Sequence, residues 1–536
     1  MKKLYRKSRW LHKYLGLFLV LFLMWMSVSG IVLNHPELVK NIAIPHWLVP
    51  PAYKIKNWNR SSMMGLVYSK NRPQVLYAYG KKGVWVSRDE GKSFVPMQNG
   101  LPGSLYYLKT NHLVLYERGP HPFLLAATDG GLFKADLGRE QWRQLSVGEK
   151  HEKFKKILIN GQNVLVFSES HVYRAALSDL HFEKVKLQRE MAERKVTLVK
   201  LFFDLHDGQV FGLPGRLFTD LVGVLLFFLS FTGFYIWFNP WRWRRRHQKN
   251  AGAVPPGRIN LVRSLVKYHL QIGIYVAFFF LILGGTAFFM RPPFLAAIAE
   301  GSISPAWYPG RISENVWEEK IQNALLDTQR NRLIIACSDG LWMGKADFSQ
   351  PFKPVQFHVP IFVMGPTYFE TEDGDYVIGS FNGLYRYNPE NDRSVNLVTG
   401  QEVTEYSNIR PGKRMVTGFF ETPWGQKVIA THEQGLIPLR GKLPNDRFSV
   451  PPVLNRTYTL SLWNFMFELH NGRIFQDLIG KWYILIAPLG SFLFLLLTLT
   501  GIFDWFYIKL RRTTEQNRKG HGLNVRTLIF EFRRKE

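Results

Sequence analysis

Five histidines stand where an imidazole lone pair can do chemistry. His12 and His269 each open an apolar run, in "HKYLG" (12–16) and "HLQIG" (269–273). His206 and His470 sit in a second shared pattern, "FDLHDGQVF" (203–211) and "FELHNGRIF" (467–475), each shortly before another apolar run. A neutral imidazole is a good iron ligand, and a haem takes one from each face. His12 facing His269 across a gap between helices is the arrangement that bis-imidazole ligation requires, and His206 facing His470 forms a second pair. A lone interfacial histidine is ordinarily just a satisfied side chain, so the matched pairs carry this expectation. His35 is a further candidate ligand, although the aligned position in the second half is Pro292. Gly16 and Gly273, one turn after the first pair, leave room for a porphyrin plane.

The elements that must position these residues are membrane spans. The composition is 46% hydrophobic and 15% aromatic. Four runs, near 14–33, 217–238, 270–290 and 482–508, are long enough at about 1.5 Å per helical residue to cross a hydrocarbon core of roughly 30 Å. The first follows "MKKLYRKSR" without an A-x-A site, which reads as a retained anchor and not a cleaved leader. Basic segments at the start, at 241–249 and at 509–519 flank span ends on one side, so both termini are expected in the cytoplasm of a bacterial inner-membrane protein. The expected order is a cytoplasmic N-terminus (1–13), a span (14–34), a periplasmic β half (35–205), an L-H-x-G segment with its span (206–238) and a cytoplasmic basic linker (239–267). A third span (268–291), a second periplasmic β half (292–469), a second L-H-x-G segment with its span (470–508) and a basic tail (509–536) follow.

The two halves read as a tandem repeat. Placing His12 on His269 and His206 on His470 also brings "FTGFYIWF" (231–238) onto "LTGIFDWF" (499–506), each ending a span on Thr-Gly. Each half is span, exterior domain, span, so the copies share one orientation and equivalent residues lie at equal depth. His12 and His35 are 23 residues apart, about 35 Å of helix, which puts their sites on opposite membrane faces. One or two haems are expected, two of them forming a wire across the bilayer.

Within the long loops a smaller unit recurs: a β-rich run, a turn with Gly or Asn, then an aromatic-containing strand. It reads "LYAYGKKGVWVSRDEGKSF", "LLAATDGGLFKADL" and "VLVFSESHVYRAAL" in the first loop, and "LIIACSDGLWMGKADF", "YVIGSFNGLYRYNP" and "KVIATHEQGLIPLRG" in the second. Residues 87–94, "SRDEGKSF", resemble an Asp-box, whose Asp89 caps backbone amides in a structural role. At about 40–50 residues per blade, both loops together suit one propeller of seven or eight blades, the alternative being two separate β domains. The fold class is therefore a mixed membrane protein: four transmembrane α-helices in two tandem repeats, with an all-β propeller-like exterior domain built from the two long loops. The lone cysteine, Cys337, excludes intrachain disulfides, thiolate clusters and covalent haem attachment. The charge of +28 is partly the positive-inside bias, and this topology argues against nucleic acid as a partner. His112, His121, His151, His171 and His181 lack metal-like spacing and receive no role.

The chain resembles PepSY-associated transmembrane proteins. The resemblance rests on R-x-L-H-x-x-L-G at 9–16, L-H-x-G-x-x-F at 205–211 and 469–475, and "FGLPGRL" at 211–217 leading into "TGFYIWF", and it covers the four spans and their flanks. That family includes inner-membrane ferric-siderophore reductases carrying haem between their helices. It implies haem b on His12, His269, His206 and His470, with His35 a further candidate, and electron delivery to a ferric siderophore or other iron chelate in the periplasm. Chelate oxygens hold hard Fe(III) better than Fe(II), so one-electron reduction releases the metal with no acid or base required of the protein. Accordingly no catalytic residue is assigned, and no nucleotide-binding or hydrolase motif stands in a convincing context. Electrons would come from a membrane quinol or a cytoplasmic flavoprotein. The chain departs from the pattern at "LHNGRIFQDLIGKW", which lacks G-L-P-G-R, and in its propeller-like loops, so substrate recognition does not carry over. The rival readings are a non-redox, membrane-anchored binding module and a regulator of an exterior peptidase.

Overall fold

The computed structural model describes every residue except 119–120, 150–151, 191–194, 248–254, 363, 405–411, 413, 457–458 and 520–536. The chain forms two compact units, one of Met1–His35, Lys195–Arg311 and Met466–Glu536, the other of Pro36–Arg194 and Ile312–Phe465.

The first unit contains four long apolar helices: α1 (Lys2–Asn34), α3 (Gly212–His247), α4 (Pro256–Phe289) and α6 (Ile486–Lys519). Each meets the length and hydropathy that a membrane crossing needs. Helix α1 packs on α3 and α6, and α4 packs on the same two, so α1 and α4 lie across the bundle from one another. The interior is aliphatic and aromatic: Leu15, Leu19 and Leu23 meet Val222, Leu226, Val276, Phe280 and Phe494. The helices run past the apolar windows read from sequence, because a basic segment such as 2–9 can continue a helix without being buried. The basic linker of 239–267 and the tail of 509–536 are partly helical, with 248–254 and 520–536 outside the described residues.

Two short helices carry the repeated L-H-x-G motif, α2 (Leu198–Asp207) and α5 (Leu462–His470). Thr197 caps α2 by accepting from the Lys200 amide at 3.2 Å. Asp204 then accepts from the Tyr308 hydroxyl at 2.6 Å and pairs with Lys200 at 2.9 Å, and the 196–197 strand pairs with 302–303. These ties place 195–207 and 292–311 with the helices, whereas the sequence reading assigned 195–205 and 292–311 to the β halves.

The second unit is built from small antiparallel sheets. Among the described residues six of them, spanning 65–96, 110–144, 154–184, 321–355, 368–396 and 416–438, have three or four strands in simple up-and-down order. Their first strands are Gly65–Tyr68, Thr110–Tyr116, Phe154–Asn160, Ile321–Asp327, Tyr368–Glu372 and Val416–Glu421. Each first strand neighbours the next, and the sixth returns to the first. Each repeated hairpin read from sequence falls on the second and third strands of one sheet. The loops interlock at both junctions: Trp58, Trp85 and Phe94 pack with Phe420 and Phe448, while Leu165, Phe167 and Val172 pack with Trp317, Ile335 and Phe352. Fully buried Trp58 also donates its indole N–H to the Phe448 carbonyl at 2.8 Å. Asp89 caps its turn as the Asp-box reading expects, accepting from the Ser93 amide at 2.9 Å and from the Ser87 hydroxyl at 2.8 Å.

Candidate functional site

Each of the four repeated histidines meets a hydroxyl on a neighbouring helix through Nδ1. The Nδ1 of His12 lies 3.2 Å from Thr500 Oγ1 and 3.1 Å from the Leu497 carbonyl, both on α6. His269 on α4 reaches Thr232 of α3 at 3.0 Å. His206 on α2 reaches Thr286 of α4 at 3.1 Å, and His470 on α5 reaches Ser29 of α1 at 2.8 Å. The contacts are reciprocal: each first-half histidine meets a second-half hydroxyl, and the converse.

The direction of these bonds follows from the hydroxyl protons. Thr500 donates to Leu497 O at 2.8 Å, Thr232 to Phe228 O at 2.8 Å, Thr286 to Ile282 O at 2.7 Å and Ser29 to Trp25 O at 2.7 Å. With its proton committed to its own helix, each hydroxyl oxygen must accept, so each imidazole donates Nδ1–H. That arrangement favours one tautomer at all four sites, required at His12 by the Leu497 carbonyl, and leaves Nε2 for a metal.

The residue after three of these hydroxyls is glycine, and at two of them the fit is tight. A Cβ at Gly501 would lie 3.1 Å from Cε1 of His12, at Gly233 3.3 Å from Cε1 of His269, and at Gly30 3.6 Å from Cε1 of His470. The repeated Thr-Gly is thus a socket: threonine orients the ring and glycine gives it space. A Cβ at Gly273 would meet nothing within 4 Å, so that face of α4 is open. Gly16 has less room, a Cβ there touching Leu497 at 3.6 Å.

The histidines form two layers. Ser29 follows His12, and Thr286 follows His269, by the same interval (29 − 12 = 286 − 269 = 17). The Ser29/Thr286 layer, where His206 and His470 meet, is therefore about 25 Å along the helices from the His12/His269 layer. In it the rings of His206 and His470 have centroids 6.3 Å apart and planes inclined at 67°. At that spacing two imidazoles can both reach one metal ion through bonds of about 2 Å. Burial pushes the pKa of His206 down to about 4 and that of His470, with help from His206 and Arg291, to about 3, so both rings are neutral at pH 7. A fixed tautomer, a free Nε2, a neutral ring and an apolar surround are what axial ligation of a tetrapyrrole asks of a protein, and these residues fit it.

Beside His206 is an apolar cavity of about 300 Å³ lined by Leu205, Val210, Phe211, Pro214, Phe218 and Phe279. Its wall is the L-H-x-G-x-x-F-G-L-P-G-R run. Gly208, at φ +81°, lets that run fold back: a Cβ there would lie 2.3 Å from the Gly215 carbonyl.

The structure brings His35 to neither histidine layer's hydroxyls. Its Nε2 lies 2.5 Å from Asp220 Oδ2, and Asn34 donates to the other carboxylate oxygen at 2.8 Å. Of the histidines given no role, His112 is half-buried in the sheet unit beside Glu370, His171 pairs with Glu152 at 3.1 Å, and His151 lies outside the described residues.

Sequence reasoning singled out Thr-Gly but not its task, and it missed Ser29 and Thr286. They share an interval of seventeen from His12 and His269, which becomes a signal only once the facing helices are known.

Over residues 9–505 the sequence matches the PepSY-associated TM region. The chain belongs to the PepSY-associated TM family. Its four apolar helices make this family member a multi-pass membrane protein. A search of curated proteins finds no match. Among solved structures, this PepSY-associated protein is similar to the extracellular domain of a one component system from B. thetaiotaomicron. That likeness has 11% identity and a TM-score of 0.33, covering 73% of this chain and 40% of that one. It is also similar to the extracellular domain of a hybrid two component system of the same organism, with 9% identity, a TM-score of 0.34, and 71% and 40% covered. A third similar structure is the N-terminal domain of Nup159, with 8% identity, a TM-score of 0.28, and 73% and 91% covered. The chain thus spans less than half the length of the first two.

Proposed function

We propose that the protein is a haem-b-containing membrane electron-transfer protein that reduces a ferric chelate, of the ferric-siderophore class, on the periplasmic side of a bacterial inner membrane. The observation that carries the reading is the common state of the four histidines, each with Nδ1–H held by a hydroxyl whose own proton is committed and with Nε2 free. Haem b in such a site supplies one-electron exchange between ferric and ferrous iron. His12 and His269 would hold one such group and His206 and His470 another. Thr500, Thr232, Thr286 and Ser29 orient the four rings, and an aliphatic and aromatic bundle interior lies between the two layers.

The siderophore class and a quinol or flavoprotein donor rest on the family resemblance and on the preference of hard oxygen ligands for Fe(III). The orientation, with both termini cytoplasmic, rests on the basic segments at the span ends. The reciprocal histidine contacts support the tandem repeat, in which each copy completes the other's sites. The neighbouring first strands support a propeller of six blades, fewer than the seven or eight expected from length.

The test is a visible spectrum of protein purified in mild detergent from haem-replete cells, before and after dithionite, with a pyridine haemochrome count. Sharp six-coordinate haem b bands are expected, with two haems per chain falling to one in His470→Ala and in His269→Ala. A colourless preparation would overturn the reading.

A further inference from the structure

Beside His470 stands a charged side chain with no ion pair of its own among the described residues. Arg291 stands just past the end of α4, and its buried Nε has no hydrogen-bond partner. It is close enough to His470 for its charge to disfavour the imidazolium, and close enough to Arg473 for the two guanidinium groups to oppose one another. The carboxylate beside them is Glu468, buried and paired with Arg473 at 3.3 Å. Glu468 is thus taken by Arg473, and Arg291 has no ion pair of its own in a partly buried place where an unpaired charge is costly.

The other half does not share this unpaired charge. Aligned on the paired histidines, Arg291 corresponds to Asn34 and Arg473 to Gln209. Both of those are neutral amides with local partners: Asn34 donates to Asp220 at 2.8 Å, and Gln209 accepts from Arg216 at 2.5 Å. The cationic pair therefore belongs to one side of the layer. Buried guanidinium groups prefer carboxylates, which they meet through charge-assisted and often bidentate hydrogen bonds.

Resting on the haem reading above, we infer that Arg291, with Arg473, is the propionate-binding pair of the His206/His470 site and sets which way round the tetrapyrrole enters. The propionate carboxylates would then be met by the Arg291 and Arg473 guanidinium groups.

The test is titration of apo-protein, made in a haem-deficient host and held in detergent, with haemin and separately with haemin dimethyl ester, whose propionates carry no charge. His269→Ala is present throughout, so that only the exterior layer is read. Arg291→Gln is expected to weaken haemin at least tenfold and to leave the ester within twofold. Arg473→Gln is expected to do the same more weakly, because it frees Glu468, and Arg291→Lys should recover part of the loss. Equal weakening of both ligands, or no weakening of haemin, would overturn the inference while leaving the haem site standing. If the His269→Ala parent took up neither ligand, the underlying reading would fall instead. Apo Arg291→Gln loses no bonded partner at Nε and sheds an unpaired charge, so it is expected to unfold no earlier than the parent, which keeps misfolding apart from either result.

Discussion

Replacing Thr232 by valine keeps the shape of the side chain and removes only the oxygen that His269 uses. The Nδ1–H of His269 then loses its acceptor at 3.0 Å. A buried donor left unsatisfied costs about 1–3 kcal/mol. Loss of an outer-shell partner of a metal ligand typically weakens metal binding by about 10–100-fold. Thr500→Val is the equivalent change in the other half, yet the structure gives it a milder outcome. His12 would keep the Leu497 carbonyl at 3.1 Å, so the loss is that of one ordinary hydrogen bond, about 0.5–1.5 kcal/mol. The expected order is therefore a large fall in haem affinity for Thr232→Val, less than about tenfold for Thr500→Val, and near-wild-type behaviour for Thr232→Ser. Haemin titration of each apo-protein, read in the visible spectrum with His470→Ala as background, measures this. If Thr500→Val proved as damaging as Thr232→Val, or if both were silent, the account of the hydroxyls as ring-orienting acceptors would be wrong.

Gly501→Val places its Cβ 3.1 Å from the His12 ring and is expected to cost the protein one haem by pyridine haemochrome, while Gly16→Ala, with an ordinary 3.6 Å contact, should keep both. Lys156→Met strands Glu370, to which Lys156 is hydrogen-bonded. Because Glu370 retains about a third of its exposure, denaturant unfolding of the full chain should lose somewhat less than the roughly 3–5 kcal/mol of a fully buried pair. Burial and Lys156 push the pKa of His112 down to about 4, and Glu370, which burial alone would raise, is held at about 2 by Lys156 and His112. Both folded values lie below the unfolded ones, so the unfolded chain binds more protons and stability is lost as pH falls, from about 6.5 to 4 through His112 and from about 4.5 to 2 through Glu370. Unfolding temperatures at pH 7, 5.5 and 4.5 should fall in that order, with His112→Gln flattening the upper part. Asp89→Ala removes the cap of its turn and should cost about 1 kcal/mol in the same assay without changing haem content.

The six hairpins were legible because a period of two with glycine or asparagine at the turn leaves little else for those segments to be. Their number of sheets was not. Division of loop length by blade length counts Val49, Tyr53, Ile55, Trp58, Phe448 and Leu454 as strand, whereas these residues form connecting arms that fill a shared core. The histidines were legible because the chain repeats them with their neighbours. Their partners were hidden for two reasons: Ser29 and Thr286 differ in type, and an interval of seventeen means nothing until it is known which helices face one another. Arg291 gave no signal at all, since what sets it apart is a buried atom with nothing to bond.

The circular order of the sheets also sets a schedule. The third sheet ends at residue 184, but the strand at 43–44 waits for 460–461, and the first sheet waits for the sixth. At about 5–20 residues per second, the intervening 460 − 184 residues take roughly 15–55 s to synthesise. Phe167 and Val172 lack partners until Trp317 and Phe352 are made, and Trp85 and Phe94 lack Phe448 for nearly the whole interval, so two sticky flanks face the solvent of the compartment into which they emerge. A nascent half of this kind calls for a holding chaperone. A chain cut between α3 and α4 should accumulate only when both fragments are made together.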